Sequence, residues 1–139
     1  MRNWSIVIVG YGVVGQLEYK NMIKLNPCIC DKYKPEVSNF DPELEYDLAF
    51  IAVPTNNTEN GLCDITEVRN ALDEVKAKIY IIKSTVLPGT CERLQKETGK
   101  RIIFSPEHSG ATQHCNNFEY DFTILGGEKE DCCEVIQAL

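Results

Sequence analysis

No apolar run in this chain approaches the roughly 20 residues that a bilayer-spanning helix needs, so the sequence gives no reason to expect a membrane protein. Basic clusters are missing too. Fourteen Lys and Arg face 21 Asp and Glu, a formal net charge of −7, and the cations are scattered. Binding a phosphate backbone needs clustered positive charge, which excludes nucleic acid as an expected partner. The amino-terminal residues pass from one Arg straight into a strand-like run, without the pattern of a secretory leader, and a cytoplasmic location is expected. Seven cysteines are present, yet no C-x-x-C pair exists. The bland reading is free thiols in a reducing compartment. His108, His114 and Cys115 match no standard ligand spacing, so no metal is expected. Internal repeats, linkers and low-complexity stretches are also lacking. Residues 1–139 therefore read as one domain, long enough to bury roughly 65–70% of its unfolded surface.

What is present alternates between strand-like and helix-like segments. Ser5–Val9 is a short apolar run ending at glycine, as a buried parallel strand would. Val14–Leu25 carries a helical stripe that Asn26-Pro27 stops. Cys28–Asp31 reads as a second strand, with Cys28 and Cys30 on one face, and Lys32–Glu45 as a long polar connection. Leu48–Val53 is the third strand. Asp64 with Glu67 resembles a capping box opening a helix to about Val75. Ile79–Lys83, Ile102–Phe104 and Phe122–Leu125 supply three more strands, and Thr90–Thr98 a helix. The pattern predicts an α/β, Rossmann-type doubly wound and mainly parallel six-stranded sheet with helices on both faces. A last helix, Glu130–Leu139, stops in mid-pattern, which suggests that more protein follows in the parent sequence.

Gly10-Tyr11-Gly12-Val13-Val14-Gly15 is a G-x-G-x-x-G placed between a strand and a helix. Gly10 would permit the tight turn, Gly12 would admit a pyrophosphate against the backbone, and Gly15 would let the helix pack closely. The helix N-terminus would offer N–H groups and a positive dipole end to the phosphates. Asp31 follows Gly10 by 21 residues, at the end of the next strand. A carboxylate there accepts hydrogen bonds from the adenosine ribose and repels a 2′-phosphate, which favours NAD over NADP, although Lys32 and Lys34 lie close enough to soften that preference. Further strand ends carry Val53-Pro54-Thr55, Lys83-Ser84-Thr85-Val86-Leu87-Pro88-Gly89-Thr90 and Ser105-Pro106-Glu107-His108. Ligands of open α/β sheets bind at such carboxyl ends.

Taken in order, these motifs resemble the N-terminal domain of the UDP-glucose/GDP-mannose dehydrogenase family. Members show a glycine fingerprint, an Asp closing the second strand, V-P-T after the third, K-S-T-V-x-P-G-T, a P-E segment and a terminal I-G-G, here Ile124–Gly127. The resemblance spans essentially the whole chain, and Lys83–Thr90 is its most specific part. It implies that Tyr11, Val13 and Val14 cover the pyrophosphate and that Asp31 with Lys34 holds the adenosine ribose. Thr55 and Thr85 would line the nicotinamide side, with Thr85 also near the reacting water and Glu107 beside the nicotinamide ribose, and Val53, Pro54 and Ser84 would be further cofactor-binding residues. Such enzymes oxidise a sugar's primary alcohol to a carboxylate with two NAD. NAD(H) would be the cofactor, and homodimeric assembly is an expected partnership. The sugar nucleotide would bind only with a C-terminal domain, which also carries the nucleophilic Cys and is not encoded here. One departure lies within the chain: Gly110-Ala111-Thr112 stands where members often have R-E-G, whose Glu helps hold the hydrolytic water.

Two rivals remain open at this point. One is a stand-alone regulatory NAD(H)-sensing domain, similar to the gating domains of potassium channels. The other is the cofactor domain of a β-hydroxyacid-type dehydrogenase. The gating domains lack K-S-T-V-L-P-G-T and the S-P-E segment.

Overall fold

The computed structural model describes residues 3–108 and 122–139. Five parallel strands form one sheet in the order β2-β1-β3-β4-β5. They are β1 (Ile6–Val9), β2 (Cys28–Cys30), β3 (Glu45–Ile51), β4 (Lys76–Ile82) and β5 (Ile102–Phe104). Helices α1 (Val13–Asn21), α2 (Thr66–Glu74), α3 (Thr90–Thr98) and α4 (Lys129–Ala138) cover it.

Successive side chains of a strand point to opposite faces, and here both faces are dry. Val7, Val9, Ala49, Ile51, Tyr80 and Ile82 pack with Val68, Ala71 and Leu72 of α2 and Leu94 of α3. Ile6, Ile8, Leu48, Phe50, Ile79 and Ile81 belong to a second core with Met22, Val135 and Ala138. Two cores on one sheet explain why β1, β3 and β4 read as unbroken apolar runs instead of alternating ones.

The doubly wound parallel sheet is as the sequence predicts, but the sixth strand is a correction. Among the described residues, 122–125 form no strand, and Phe122 and Ile124 are exposed. Leu125 packs against the core beside Ile103, and among the described residues here Gly126 pairs with the sheet through its backbone. It exchanges two 2.8 Å backbone hydrogen bonds with Phe104, as one antiparallel bridge.

The first helix is also shorter than its apolar stripe suggests. It ends at Asn21, a 3-10 turn occupies Ile23–Leu25, and Asn26 takes a left-handed conformation with φ of 50° before Pro27. At α2 the N-cap position falls to Ile65, which makes no side-chain capping bond, and Asp64 one residue earlier accepts the Thr66 N–H at 2.9 Å. Glu67 does not close the box. It pairs with Lys32 at 2.6 Å instead.

Candidate functional site

The chain runs outward from β1 to β2, then returns to place β3 on the other side of β1. Where strand order reverses in this way, the loops at the carboxyl ends diverge and leave a crevice. A cleft of about 460 Å³ lies there. The glycine loop contributes Gly10, Gly12, Val13 and Val14 to it, the end of β2 Asp31 and Lys34, and the end of β3 Val53 and Pro54.

Each glycine of the loop meets a different constraint. Gly10 has φ of +89°, and a Cβ there would lie 2.5 Å from the Ala52 carbonyl oxygen. A Cβ on Gly15 would overlap the Gly10 carbonyl oxygen, so this residue lets α1 close onto the loop. Gly12 differs: its φ is −79°, and a Cβ would meet no atom within 4 Å. It borders open space at the start of α1, where no side chain caps the helix and no acidic residue occupies the first turn. That end of α1 is left to attract an anion through its N–H groups and dipole.

Asp31 is held before any ligand arrives. Its Oδ2 accepts the Tyr11 N–H at 2.6 Å, and its Oδ1 accepts those of Tyr33 at 2.8 Å and Lys34 at 3.1 Å. Lys34 Nζ in turn donates to the Tyr11 carbonyl at 2.8 Å. The glycine loop and the end of β2 are thus tied together by one carboxylate and one ammonium group. The Tyr11 ring stands edge-on to Tyr19 of α1, with centroids 5.8 Å apart. Lys32, which the sequence left free to meet a 2′-phosphate, is drawn to Glu67 of α2. Deeper in the cleft lies Cys30, whose thiol burial and the neighbouring Glu74 push up to about 12. It stays protonated and serves as apolar lining.

The remaining predicted residues sit at the ends of β3, β4 and β5. Ser84 is buried and braces the loop: its hydroxyl donates to the Val53 carbonyl at 2.7 Å and accepts the Val53 N–H at 3.0 Å. It shapes the cleft through Val53, while Thr55 donates its hydroxyl to the Thr85 carbonyl at 2.5 Å. Cys63, overlooked in the sequence, joins this pair, its Sγ 3.5 Å from the Thr85 carbonyl oxygen. An antiparallel bridge between Asn57 and Cys63 folds it back, which no local motif announces.

Glu107 does not line the same cleft. It reaches a second cavity, of about 620 Å³, on the α1 side of the sheet. There Lys83 Nζ lies 2.9 Å from Glu18, 3.5 Å from Glu107 and 3.3 Å from the Ser105 hydroxyl. Burial pushes the Glu18 carboxyl above its ordinary value; Lys83 opposes that push and Glu107 adds to it. Neither Glu18 nor the role of Lys83 was legible as a site in the sequence. Gly110, Ala111, Thr112, His114 and Cys115 lie outside the described residues.

Residues 28–139 match the model of the NAD-binding domain of the UDP-glucose/GDP-mannose dehydrogenase family. The chain belongs to this family. It is an NAD-binding domain from a group of NAD-dependent oxidoreductases, and the open space at Gly12 beside a fixed Asp31 carboxylate fits that cofactor. The family match begins at Cys28, so the glycine loop is independent support. No curated protein matches the chain in sequence. A UDP-glucose dehydrogenase from the archaeon Pyrobaculum islandicum superposes with a TM-score of 0.72 at 19% identity, over 96% of this chain and 43% of its own. A GDP-mannose dehydrogenase from Pseudomonas aeruginosa does so with a TM-score of 0.72 at 17% identity, again over 96% and 43%. An imine reductase from Aspergillus terreus shares the fold more loosely, with a TM-score of 0.60 at 15% identity, covering 99% of this chain and 53% of its own. The chain spans less than half the length of the two sugar-nucleotide dehydrogenases.

Proposed function

We propose that this chain holds NAD for a nucleotide-sugar 6-dehydrogenase, an enzyme that oxidises a sugar C6 alcohol to a carboxylate with two NAD when its sugar-binding part is present. The observation that carries the reading is the pairing of an open Gly12 with a pre-fixed Asp31 at the reversal of strand order. In this reading Gly10, Tyr11, Gly12, Val13 and Val14 bind the pyrophosphate through backbone N–H groups and the α1 dipole. Asp31 accepts from the adenosine ribose on its remaining lone-pair capacity, and Lys34 steadies the loop carbonyl beside it. Gly15 keeps α1 close, while Val53, Pro54 and Thr55 form the wall towards the nicotinamide. This reading also assigns Thr85 and Glu107 to the reacting end, Glu107 from the second cavity and not from the cleft itself, with Ser84 bracing the wall.

When bound, NAD supplies the hydride acceptor; the protein supplies orientation and electrostatics. The sugar nucleotide and homodimeric assembly belong to the longer enzyme. Calorimetric titration of the chain with NAD and NADP tests the proposal. Clear preference for NAD is expected, and equal affinities or tighter NADP would overturn it.

A further inference from the structure

An ion pair joins two walls of the NAD cleft at its Asp31 end. Lys32 directly follows Asp31, and its Nζ lies 2.6 Å from the Glu67 carboxylate in the first turn of α2. Glu67 shares one face of that helix with Asn70, Ala71 and Glu74, spaced three, four and seven residues on, and all four line the cleft. Lys32 also lies over the Tyr33 ring, 4.9 Å from its centroid, and Tyr33 is a lining residue as well.

Stability of the fold does not account for this pair. Its side chains are 41% and 30% exposed, and solvent screens such pairs while both chains give up freedom to form them. What the pair does fix is the place of a cation. The residues lining this end of the cleft include three carboxylates, Asp31, Glu67 and Glu74, and two ammonium groups, Lys32 and Lys34. Lys34 is tied to the Tyr11 carbonyl at 2.8 Å. Lys32 is the cation that a phosphate arriving beside Asp31 would recruit, and Glu67 already holds it.

We propose that Glu67 is a specificity-determining residue, which keeps the cleft selective for NAD by occupying Lys32. The proposal rests on the reading above, in which Asp31 faces the adenosine ribose, and deepens it. NADP carries a phosphate at the ribose 2′ position. Asp31 repels that phosphate, and Lys32 can meet it only by leaving Glu67. NAD has a 2′ hydroxyl instead, so the pair stays closed when it binds. Discrimination against NADP therefore includes the work of opening the Lys32–Glu67 bridge, which NAD never has to do. Glu67 acts here through Lys32, as a positioning residue for the cation.

The test is a double-mutant cycle on this chain, with NAD and NADP affinities measured by calorimetry for the parent, E67Q, K32Q and the variant carrying both changes. In E67Q the released Lys32 should raise affinity for NADP relative to NAD by about three- to fivefold, the factor that an exposed ion pair is worth. Made in the K32Q background, the same change should leave that ratio nearly where it was, because no cation remains to be released. A merely structural role for Glu67 would lower both affinities together and leave the ratio unmoved. An unmoved ratio in E67Q would overturn the proposal. So would an equal rise in both backgrounds, which would show Glu67 repelling the phosphate directly and not through Lys32. A parent chain without preference for NAD would overturn the reading of Asp31, and this proposal with it; a parent that prefers NAD, with E67Q unmoved, would overturn the proposal alone.

Discussion

Substitutions in the glycine loop should separate folding from binding, because its three glycines are held by different forces. At Gly12 the backbone suits any L-residue and the space outside is open. Gly12→Val should therefore fold as the parent does, by circular dichroism and thermal unfolding, yet show no NAD binding by calorimetry. Unchanged affinity in the folded variant would remove the loop from the cofactor site. Gly10→Ala is the contrast. It forces a left-handed φ on alanine and drives Cβ into the Ala52 carbonyl, so it should lower stability by roughly 1–3 kcal/mol. Asp31→Ala should weaken NAD binding by roughly 1.5–3 kcal/mol, the range for charge-assisted hydrogen bonds, and reduce discrimination against NADP. Because the carboxylate also clamps Tyr11, the Tyr11 amide should exchange faster in this variant even without NAD. A Tyr11 amide as well protected as in the parent would show that the clamp contributes nothing.

Between elements, the firmest polar join lies at the far end of the sheet from the cleft. Asp47 near the start of β3 accepts from the Ser5 N–H at 3.0 Å, the Ser5 hydroxyl at 3.1 Å and Lys78 at 2.7 Å, tying β1, β3 and β4 together. Burial opposes ionisation here, but Lys78 and Ser5 outweigh it and lower the carboxyl from 3.8 to about 2. A carboxyl lowered in the folded state stabilises above its unfolded value. That contribution, roughly 2 kcal/mol, should be complete above about pH 5 and fade as pH falls through 3.8 towards 2. Asp47→Asn should remove this part of the acid dependence of urea unfolding; an unchanged slope would contradict the assignment. The same element shows what local pattern conveys. The apolar Leu48–Ile51 was readable, but β3 begins at Glu45, because pairing of Glu45 with Lys76 and Tyr46 with Ala77 is a long-range fact. Phe122–Leu125 has strand-like composition, yet the backbone pairing beside it is a single bridge at Gly126, and backbone pairing is invisible to composition. The glycine loop and Asp31 were legible because a turn, a helix start and a strand end each leave a local mark. The Glu18–Lys83–Glu107 contact leaves none, since its members meet only through the order of the strands.

At the scale of the whole molecule, this chain corresponds to 43% of each of two sugar-nucleotide dehydrogenases of the same fold, and the rest of such an enzyme would have to bring a sugar and a nucleophile to it. We therefore predict no measurable NADH production by the chain with UDP-glucose, GDP-mannose or related sugar nucleotides. Catalysis needs interactions that strengthen in the transition state, and without a site for the second reactant roughly 7–11 kcal/mol of proximity is lost. The described thiols do not replace a nucleophile. Cys30 is buried on the adenosine-side strand and pushed up to about 12, Cys28 shares that strand, and burial with Glu92 pushes Cys91 up to about 11. Cys132 and Cys133 lie in α4. Cys63 alone among them stands beside Thr55 and Thr85, with its thiol directed at the Thr85 carbonyl. The measurement is absorbance at 340 nm with a panel of sugar nucleotides, for this chain and for a version extended past Leu139. On the proposed function, activity should appear only in the extended protein and survive Cys63→Ser there. Turnover by the 139-residue chain that disappears in Cys63→Ser or Cys115→Ser would instead make the NAD-binding domain an enzyme in its own right.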